Sequence, residues 1–312
     1  MKTIFITGIA GMIGMHSALK FKELGWRVEG IDNFNDFYDV DLKKARQKKL
    51  NDAGIIIKHC DIKETDRYLD DLKKSDIVLH LAAYANTRHS KIDPYPYIET
   101  NIEGTQRLLD LVEKHNKPVV YASSSCVCHG QPLPWNETDL PIHQNNAYGW
   151  SKRINECQFL NSTLDRSAGL RFFTVYGEWG RPDMSLYDFA KNIANGESIG
   201  LFNNGMMKRD FTYVGDIVQG IELVVNHTLE NKGHEIFNIG SGRQTELLAY
   251  VSEIEQNLGK KAVIKLLPPE STEALETWAD TSKMRSLGYK PTTTIEDGIK
   301  KFVEWFKEYH NV

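Results

Sequence analysis

The sequence is short of the features that mark several classes of protein. It has only four cysteines, at positions 60, 126, 128 and 157, and the C-x-C pair has no second cluster at the spacing of a zinc site. No apolar run approaches the roughly 20 residues of a membrane-spanning helix. The opening residues MKTIFITG lack the pattern of a signal peptide. We therefore expect reduced thiols, no metal, no membrane partner and a cytoplasmic location.

An excess of positive charge is also missing. The chain has 38 Lys and Arg residues against 42 Asp and Glu residues, which gives a net charge of -4. A nucleic-acid partner would require a concentrated basic surface, so we exclude that class. An anionic small molecule is compatible with this charge, because a few placed arginines can bind a diphosphate. With 312 residues, 41% of them hydrophobic, the chain is expected to fold into about two domains, or into one large α/β domain with an appended lobe.

What is present is an alternation of short apolar runs with helical patterns. The runs cover residues 2–8, 26–32, 55–62, 76–83, 118–125 and 168–175. Strand–helix–strand alternation predicts an α/β fold with a doubly wound parallel sheet of the Rossmann type. We predict a Rossmann domain over residues 1–175. A smaller C-terminal substrate-binding lobe should follow over residues 176–312, with segments that return to the first domain.

A glycine-rich turn follows the first predicted strand. TGIAGMIG places Gly8, Gly11 and Gly14 between that strand and an amphipathic helix. Glycines at this position allow backbone amides to approach a pyrophosphate closely, as in dinucleotide-binding folds. Asp32 ends the second strand, where a carboxylate would bind the ribose hydroxyls and repel the 2′-phosphate of NADP. The cofactor predicted from these residues is NAD.

Two further strand ends are expected to contact the same cofactor. Asp61 and Ile62 close the third strand and suit an adenine site. Leu81, Ala82 and Ala83 follow the fourth strand, where the small alanines leave room for the cofactor backbone.

A Y-x-x-x-K pair is the main candidate for catalysis. Tyr148 and Lys152 lie one helical turn apart and would share a helix face. A phenol has a pKa of about 10 in water, and a nearby ammonium, with a cationic nicotinamide, would lower that pKa. Tyr148 could then accept a proton from a sugar hydroxyl. Ser124, with Ser125 as second choice, ends the preceding strand and would bridge the substrate to Tyr148.

The chain resembles the extended short-chain dehydrogenases and, within them, the UDP-glucuronate 4-epimerases. The resemblance covers nearly the whole chain. It rests on TGIAGMIG, NDFYDVDLKKAR, NIEGTQRLLD, YASSS and the Y-x-x-x-K pair, and above all on GLRFFTVYGEWGRPDM and NNGMMKRDFTYVGDI. The family commonly reads V-Y-G after the serines, where this chain has Val127-Cys128-His129-Gly130, and Glu178 stands where proline is usual.

The resemblance implies an NAD-dependent enzyme that inverts C4 of a UDP-hexuronic acid through a 4-keto intermediate. It also implies that residues 176–312 bind the nucleotide sugar and that the protein forms a homodimer. It implies catalysis by Ser124, Tyr148 and Lys152. The implied cofactor contacts are Gly8, Gly11, Met12, Ile13, Gly14, Asp32, Asn33, Asp61, Ile62, Leu81, Ala82, Ala83, Asn101, Tyr148 and Lys152. The implied substrate contacts are Arg88, Ser125, Thr174, Arg181, Asn203, Arg209 and Asp280. Within this set, Arg181 is favoured for the uronate carboxylate and Arg209 for the diphosphate.

Other reactions of this fold remain open at this stage. UDP-glucose/UDP-galactose 4-epimerisation is the nearest alternative, and a UDP-glucuronate decarboxylase would pass through the same 4-keto uronate. A 4,6-dehydratase is disfavoured, because Ser125 and Cys126 stand where its Asp-Glu pair is expected. A non-catalytic NAD-sensing scaffold is disfavoured by the retention of Tyr148, Lys152 and Ser124.

Overall fold

A computed structural model describes residues 1–139, 141, 143–270 and 274–312. Its strands are β1 (Thr3–Thr7), β2 (Arg27–Asp32), β3 (Ile57–His59), β4 (Ile77–His80), β5 (Val119–Ser124), β6 (Arg166–Phe172), β7 (Thr174–Tyr176), β8 (Ser198–Leu201), β9 (Lys208–Arg209), β10 (Phe211–Tyr213), β11 (Gly233–Ile239), β12 (Thr245–Glu246) and β13 (Val263–Leu266). Its α-helices are α1 (Met12–Glu23), α2 (Val40–Asp52), α3 (Leu69–Lys74), α4 (His89–Ile92), α5 (Thr105–Lys114), α6 (Ala147–Leu160), α7 (Ser185–Asn195), α8 (Val214–Glu230), α9 (Leu247–Leu258), α10 (Ser282–Ser286) and α11 (Ile295–His310). A π-helical segment, Tyr97–Gly104, leads directly into α5.

Seven parallel strands form the central sheet, in the order β11-β6-β5-β4-β1-β2-β3. The predicted doubly wound parallel fold is therefore confirmed. One of its two edge strands, β11, comes from beyond residue 176. The chain reverses its direction of travel across the sheet after β3, and β4 lies beside β1. That switch point opens a crevice at the carboxyl ends of the strands, where ligands of such folds bind.

Strand β1 shows why both faces of the sheet are covered by helices. All five of its residues are buried, as expected for a central parallel strand. Ile4 and Ile6 belong to a core cluster that includes residues of α1 and α8, whereas Phe5 belongs to a second cluster with residues of α3 and α5. The alternation of side chains along a strand thus divides the core into two layers.

A third core cluster lies in the C-terminal part of the chain. It joins residues of α7, α9 and α11 to strand β8, which pairs with β13 in a separate two-stranded sheet. Two further short sheets pair β7, which follows β6 directly, with β10 and pair β9 with β12. Within the described ranges, no helix is long and apolar enough to cross a lipid bilayer.

Candidate active site

A cavity of about 510 Å³ lies where the main sheet meets the C-terminal lobe. It is lined from the sheet side by the ends of β1, β2, β4, β5 and β6, and from the other side by residues of α7, β8 and β9. Most of the predicted site residues line it together: Gly8, Gly11, Met12, Ile13, Gly14, Asp32, Asn33, Ile62, Leu81, Ala82, Ala83, Arg88, Ser124, Ser125, Tyr148, Lys152, Thr174, Arg181 and Arg209.

Four predicted contacts do not line the cavity. They are Asp61, Asn101, Asn203 and Asp280, and the polar atoms of each are used within the chain. Asn101 is fully buried and exchanges two hydrogen bonds with the backbone of Tyr84. Asp61 accepts from the side chain of Asn33 at 2.8 Å, Asn203 donates to the Met206 carbonyl, and Asp280 accepts from the Ser282 amide at the start of α10.

The glycine-rich turn has the backbone geometry that a dinucleotide site requires. Gly8 has φ +71°, and a Cβ atom there would lie 2.8 Å from the Ala82 backbone nitrogen, so only glycine fits. Helix α1 begins after Gly11 without a side-chain cap. Its first amides therefore remain available for an anion, and the helix dipole favours negative charge at the same place.

Asp32 is held beside this turn by the backbone. Its carboxylate accepts hydrogen bonds from the amides of Ala10 at 3.0 Å and Phe34 at 2.9 Å. Burial raises the pKa of Asp32 above its ordinary value, and the Phe34 amide and the ammonium of Lys43 act in the opposite direction. The residues of this half of the cavity thus fit NAD: glycines and a free helix start for the diphosphate, and a fixed carboxylate for the ribose.

Helix α6 carries the predicted catalytic pair. The Asn146 side chain caps it by accepting from the Gly149 amide at 2.8 Å, so Tyr148 lies in the first turn and Lys152 in the second. The Lys152 ammonium is buried and donates to the Ala122 carbonyl of β5 at 2.9 Å. Ser124 lies beside Tyr148 and acts to lower its pKa, and the Ser124 hydroxyl accepts from the Cys126 amide at 3.2 Å.

Burial governs the ionisation of this pair in the ligand-free chain. Burial raises the pKa of Tyr148 to about 12, while the Ser124 side chain and the Arg181 charge act to lower it. Burial also lowers the pKa of Lys152 to about 8. The prediction that the Lys152 ammonium and a cationic nicotinamide together lower the phenol pKa concerns the cofactor-bound site and stays a prediction. The positive charge of a bound oxidised nicotinamide would act in the same direction as Arg181 and lower the pKa of the phenol.

Arg181 lies in the same cavity and is already partly engaged. Its Nε donates to Asp183 at 3.0 Å and its Nη2 to the Ala85 carbonyl at 2.5 Å. Asp183 also accepts from the Asn86 side chain at 2.9 Å. The guanidinium lies over the ring of Phe37 at 5.8 Å. Within the described ranges, no hydrogen bond of Arg181 uses Nη1, so one edge of the guanidinium remains for a ligand.

Two other arginines lie on the far side of the cavity. Arg88 lies over the ring of Phe202 at 5.5 Å, and Arg209 donates to the carbonyls of Lys208 and Leu275. Both residues line the cavity and contribute positive charge to it. In the stretches that the structure describes, no group of three or more His, Cys, Asp or Glu side chains is arranged to bind a metal ion.

A family model described as the NAD dependent epimerase/dehydratase family matches residues 4–240. The chain belongs to this family. Among curated proteins, a UDP-glucuronate 4-epimerase of Arabidopsis thaliana is 36% identical over 99% of this chain and 76% of its own length. A crystal structure of the Bacillus cereus UDP-glucuronic acid 4-epimerase, in complex with UDP-glucuronic acid and NAD, superposes with a TM-score of 0.91 at 32% identity, covering 98% of this chain and 99% of that one.

Another solved structure of the same fold was determined with a different UDP-sugar. The UDP-glucose 4-epimerase of Thermotoga maritima, solved with UDP-glucose, superposes with a TM-score of 0.85 at 27% identity, covering 99% of both chains.

The two sequence departures from the family pattern are accommodated by hydrogen bonds. Cys128 is buried against the Arg171 guanidinium, with Sγ 3.2 Å from Nη1, and the Glu178 carboxylate accepts from the Tyr213 hydroxyl.

Some cavity residues were missed by the sequence reasoning. Lys43 and Tyr38 line the cavity, and Arg46 adjoins it on the same helix as Lys43. The signal was present in NDFYDVDLKKAR, because residues three apart on a helix share a face. Asn86 and Asp183, which hold Arg181, carried no comparable signal.

Proposed function

We propose that this chain is an NAD-dependent epimerase that inverts C4 of a UDP-hexuronic acid, interconverting UDP-glucuronate and UDP-galacturonate. The observation that carries the proposal is the placement of Tyr148, Ser124 and Arg181 around one cavity that also contains the glycine-rich turn. The similarity to the Bacillus cereus and Arabidopsis enzymes supports the choice of a uronic acid.

In the proposed reaction, Tyr148 accepts the proton of the sugar 4-hydroxyl while hydride leaves the same carbon. Bound NAD supplies the hydride acceptor and, after the 4-keto sugar has turned over, the hydride donor. Ser124 holds the sugar oxygen and the phenol together, and Lys152 anchors the catalytic helix to β5 and contributes positive charge. Tyr148 then returns the proton to the new hydroxyl. The sugar undergoes no net oxidation, so the enzyme requires no added reductant.

Product analysis tests this proposal. The purified protein is incubated separately with UDP-glucuronate and UDP-glucose without reductant, and the products are separated and identified. We expect UDP-galacturonate from the first substrate and little conversion of the second. Formation of a UDP-pentose with loss of carbon dioxide would indicate a decarboxylase instead. Faster conversion of UDP-glucose than of UDP-glucuronate would indicate the neutral-sugar epimerase.

The role of Asp32 in cofactor choice gives a separate prediction. We expect Asp32→Ala to weaken NAD binding by about 10–100-fold, because a hydrogen bond to a charged group contributes about 1.5–3 kcal/mol. NADP should be affected less, since the carboxylate that repels its 2′-phosphate is also lost. Titration calorimetry with both dinucleotides measures the two dissociation constants. Equal weakening of NAD and NADP would show that Asp32 only supports the turn.

We also propose that the protein acts in the cytoplasm as a homodimer. All four cysteines are free thiols, which suits a reducing compartment.

The π-helical segment packs against α6, and Ile98 and Leu160 on these two elements are 40% and 61% exposed. Apolar side chains exposed on adjoining helices favour a self-association surface.

Light scattering with size exclusion tests the dimer. We expect the wild-type protein to have twice the mass of one chain and Leu160→Arg to shift it towards the monomer, because a buried guanidinium without a partner opposes association. Ile56→Arg is the matched control, since Ile56 is 83% exposed in a different part of the surface. A wild-type monomer, or equal dimer content in the Leu160 variant, would contradict the proposal.

A further inference from the structure

Arg46 of helix α2 is fully buried at the junction of two segments that line the cavity. Its Nη1 donates to the Ala10 carbonyl of the glycine-rich turn at 3.0 Å and to the Tyr38 hydroxyl at 2.7 Å. Its Nε and Nη2 both donate to the Trp179 carbonyl, at 3.1 and 2.6 Å, and Nη2 also lies 3.3 Å from the Gly180 carbonyl. One guanidinium thus connects the cofactor turn to the segment that precedes Arg181.

Each nitrogen of the Arg46 guanidinium donates at least one hydrogen bond, but none of the acceptors carries a negative charge. All of its acceptors are neutral carbonyl or hydroxyl oxygens, and in the described part of the chain no carboxylate forms an ion pair with it. Arg171, the other fully buried arginine, instead makes two hydrogen bonds to the Glu156 carboxylate, at 2.8 and 3.0 Å. Buried charges are ordinarily paired with an opposite charge, as Arg171 is.

Further cations surround the same place. Lys43, Arg46 and Arg181 all lie over the ring of Tyr38, at 4.4, 5.5 and 5.7 Å from its centre. The carboxylate of Asp32 is nearby and bonds the Ala10 amide, while Arg46 bonds the carbonyl of the same residue. Asp183 pairs with Arg181, whereas in the described residues Lys43 and Arg46 donate only to neutral oxygens, so the positive charge of these two groups has no directly bonded carboxylate. An anion bound at the turn would balance it.

We propose that Arg46 is a positioning residue that couples the two halves of the cavity. Its charge is balanced by the diphosphate of the bound dinucleotide, and its hydrogen bonds fix the Trp179–Arg181 segment relative to the turn. Dinucleotide binding should therefore order the segment that carries Arg181 before the sugar arrives. This inference rests on the proposed function in one respect, namely that the turn binds a dinucleotide.

The experiment compares two substitutions of Arg46 by two measurements that do not depend on turnover. Arg46→Met removes the charge at similar length, and Arg46→Lys keeps the charge but lacks the planar fork that reaches Ala10 and Trp179 together. Ile254→Ala, a core truncation in α9 outside the cavity lining, controls for general loss of stability. Calorimetry gives the NAD dissociation constant, and hydrogen exchange follows the amides of residues 177–184 with and without saturating NAD.

In the wild type, we expect NAD to slow amide exchange across residues 177–184. Arg46→Met should raise the NAD dissociation constant by at least about tenfold, as for the loss of a charge-assisted contact, and abolish the NAD-dependent protection. Arg46→Lys should stay within about threefold of the wild type for NAD but lose most of that protection. Ile254→Ala should lower the melting temperature without changing either quantity.

Two results would overturn the coupling. One is an NAD affinity in Arg46→Met equal to that of the wild type. The other is full NAD-dependent protection of residues 177–184 in Arg46→Lys, which also decides the matter if the Met variant does not fold. A wild-type protein that fails to bind NAD would instead refute the proposed function, so the two failures are distinguishable.

Discussion

We expect the Tyr148→Phe variant to lose about 10²–10⁴-fold in turnover of UDP-glucuronate, the range for removal of a positioned acid–base group. The phenol lies beside Ser124 in the cavity, and phenylalanine keeps the ring in place. NAD binding should therefore persist. Steady-state rates, with the NAD dissociation constant measured on the same preparation, separate a chemical defect from a loss of cofactor.

Tyr289→Phe is the matched control for this substitution. Tyr289 is buried outside the cavity lining, and its hydroxyl has no hydrogen-bond partner within the described ranges. Removal of a hydroxyl that makes no bond should leave the rate unchanged. If Tyr148→Phe retained the wild-type rate while binding NAD normally, another group would have to be the base.

The second large effect is expected at Arg181. We predict that Arg181→Met weakens binding of UDP-glucuronate by about 100-fold, because one or two charge-assisted hydrogen bonds to the carboxylate are lost. Binding of UDP-glucose should weaken by no more than about fivefold, since it has no carboxylate to lose. Titration of NAD-loaded protein with each UDP-sugar gives the two dissociation constants.

Asp183 must be controlled for in this comparison. In Arg181→Met its carboxylate loses its partner, and the unpaired charge could itself repel a uronate. The double variant Arg181→Met/Asp183→Asn removes that repulsion. If Arg181 binds the carboxylate, the double variant remains weak for UDP-glucuronate. Recovery of wild-type affinity, or equal losses for the two sugars in the single variant, would contradict the assignment.

The parallel sheet and most of the cavity could be predicted because their signals are local in sequence. A β-branched run followed by glycines or serines marks the end of a buried parallel strand, and the ends of such strands meet at one edge. Gly8, Asp32, Ala82 and Ser124 were all located in this way. Strand β11 was not predicted, since it lies at the edge of the sheet and only its last three residues are buried.

Features that depend on where a side chain points could not be predicted. The direction of Lys152 Nζ, towards a β5 carbonyl, follows from the packing of α6 rather than from the Y-x-x-x-K spacing. The hydrogen bonds from Asn86 to Asp183 and from Arg181 to the Ala85 carbonyl could not be predicted either, because each joins residues more than 90 positions apart. Long-range hydrogen bonds of this kind leave no periodic pattern in one sequence.

The central claim is that hydride leaves C4 of the sugar and returns to the same carbon on its other face. The most direct test uses UDP-glucuronate carrying deuterium at C4, incubated with the enzyme in ordinary water without added reductant. We predict UDP-galacturonate that retains deuterium at C4, detected by mass spectrometry and nuclear magnetic resonance. UDP-galacturonate with hydrogen from solvent at C4 would contradict this account.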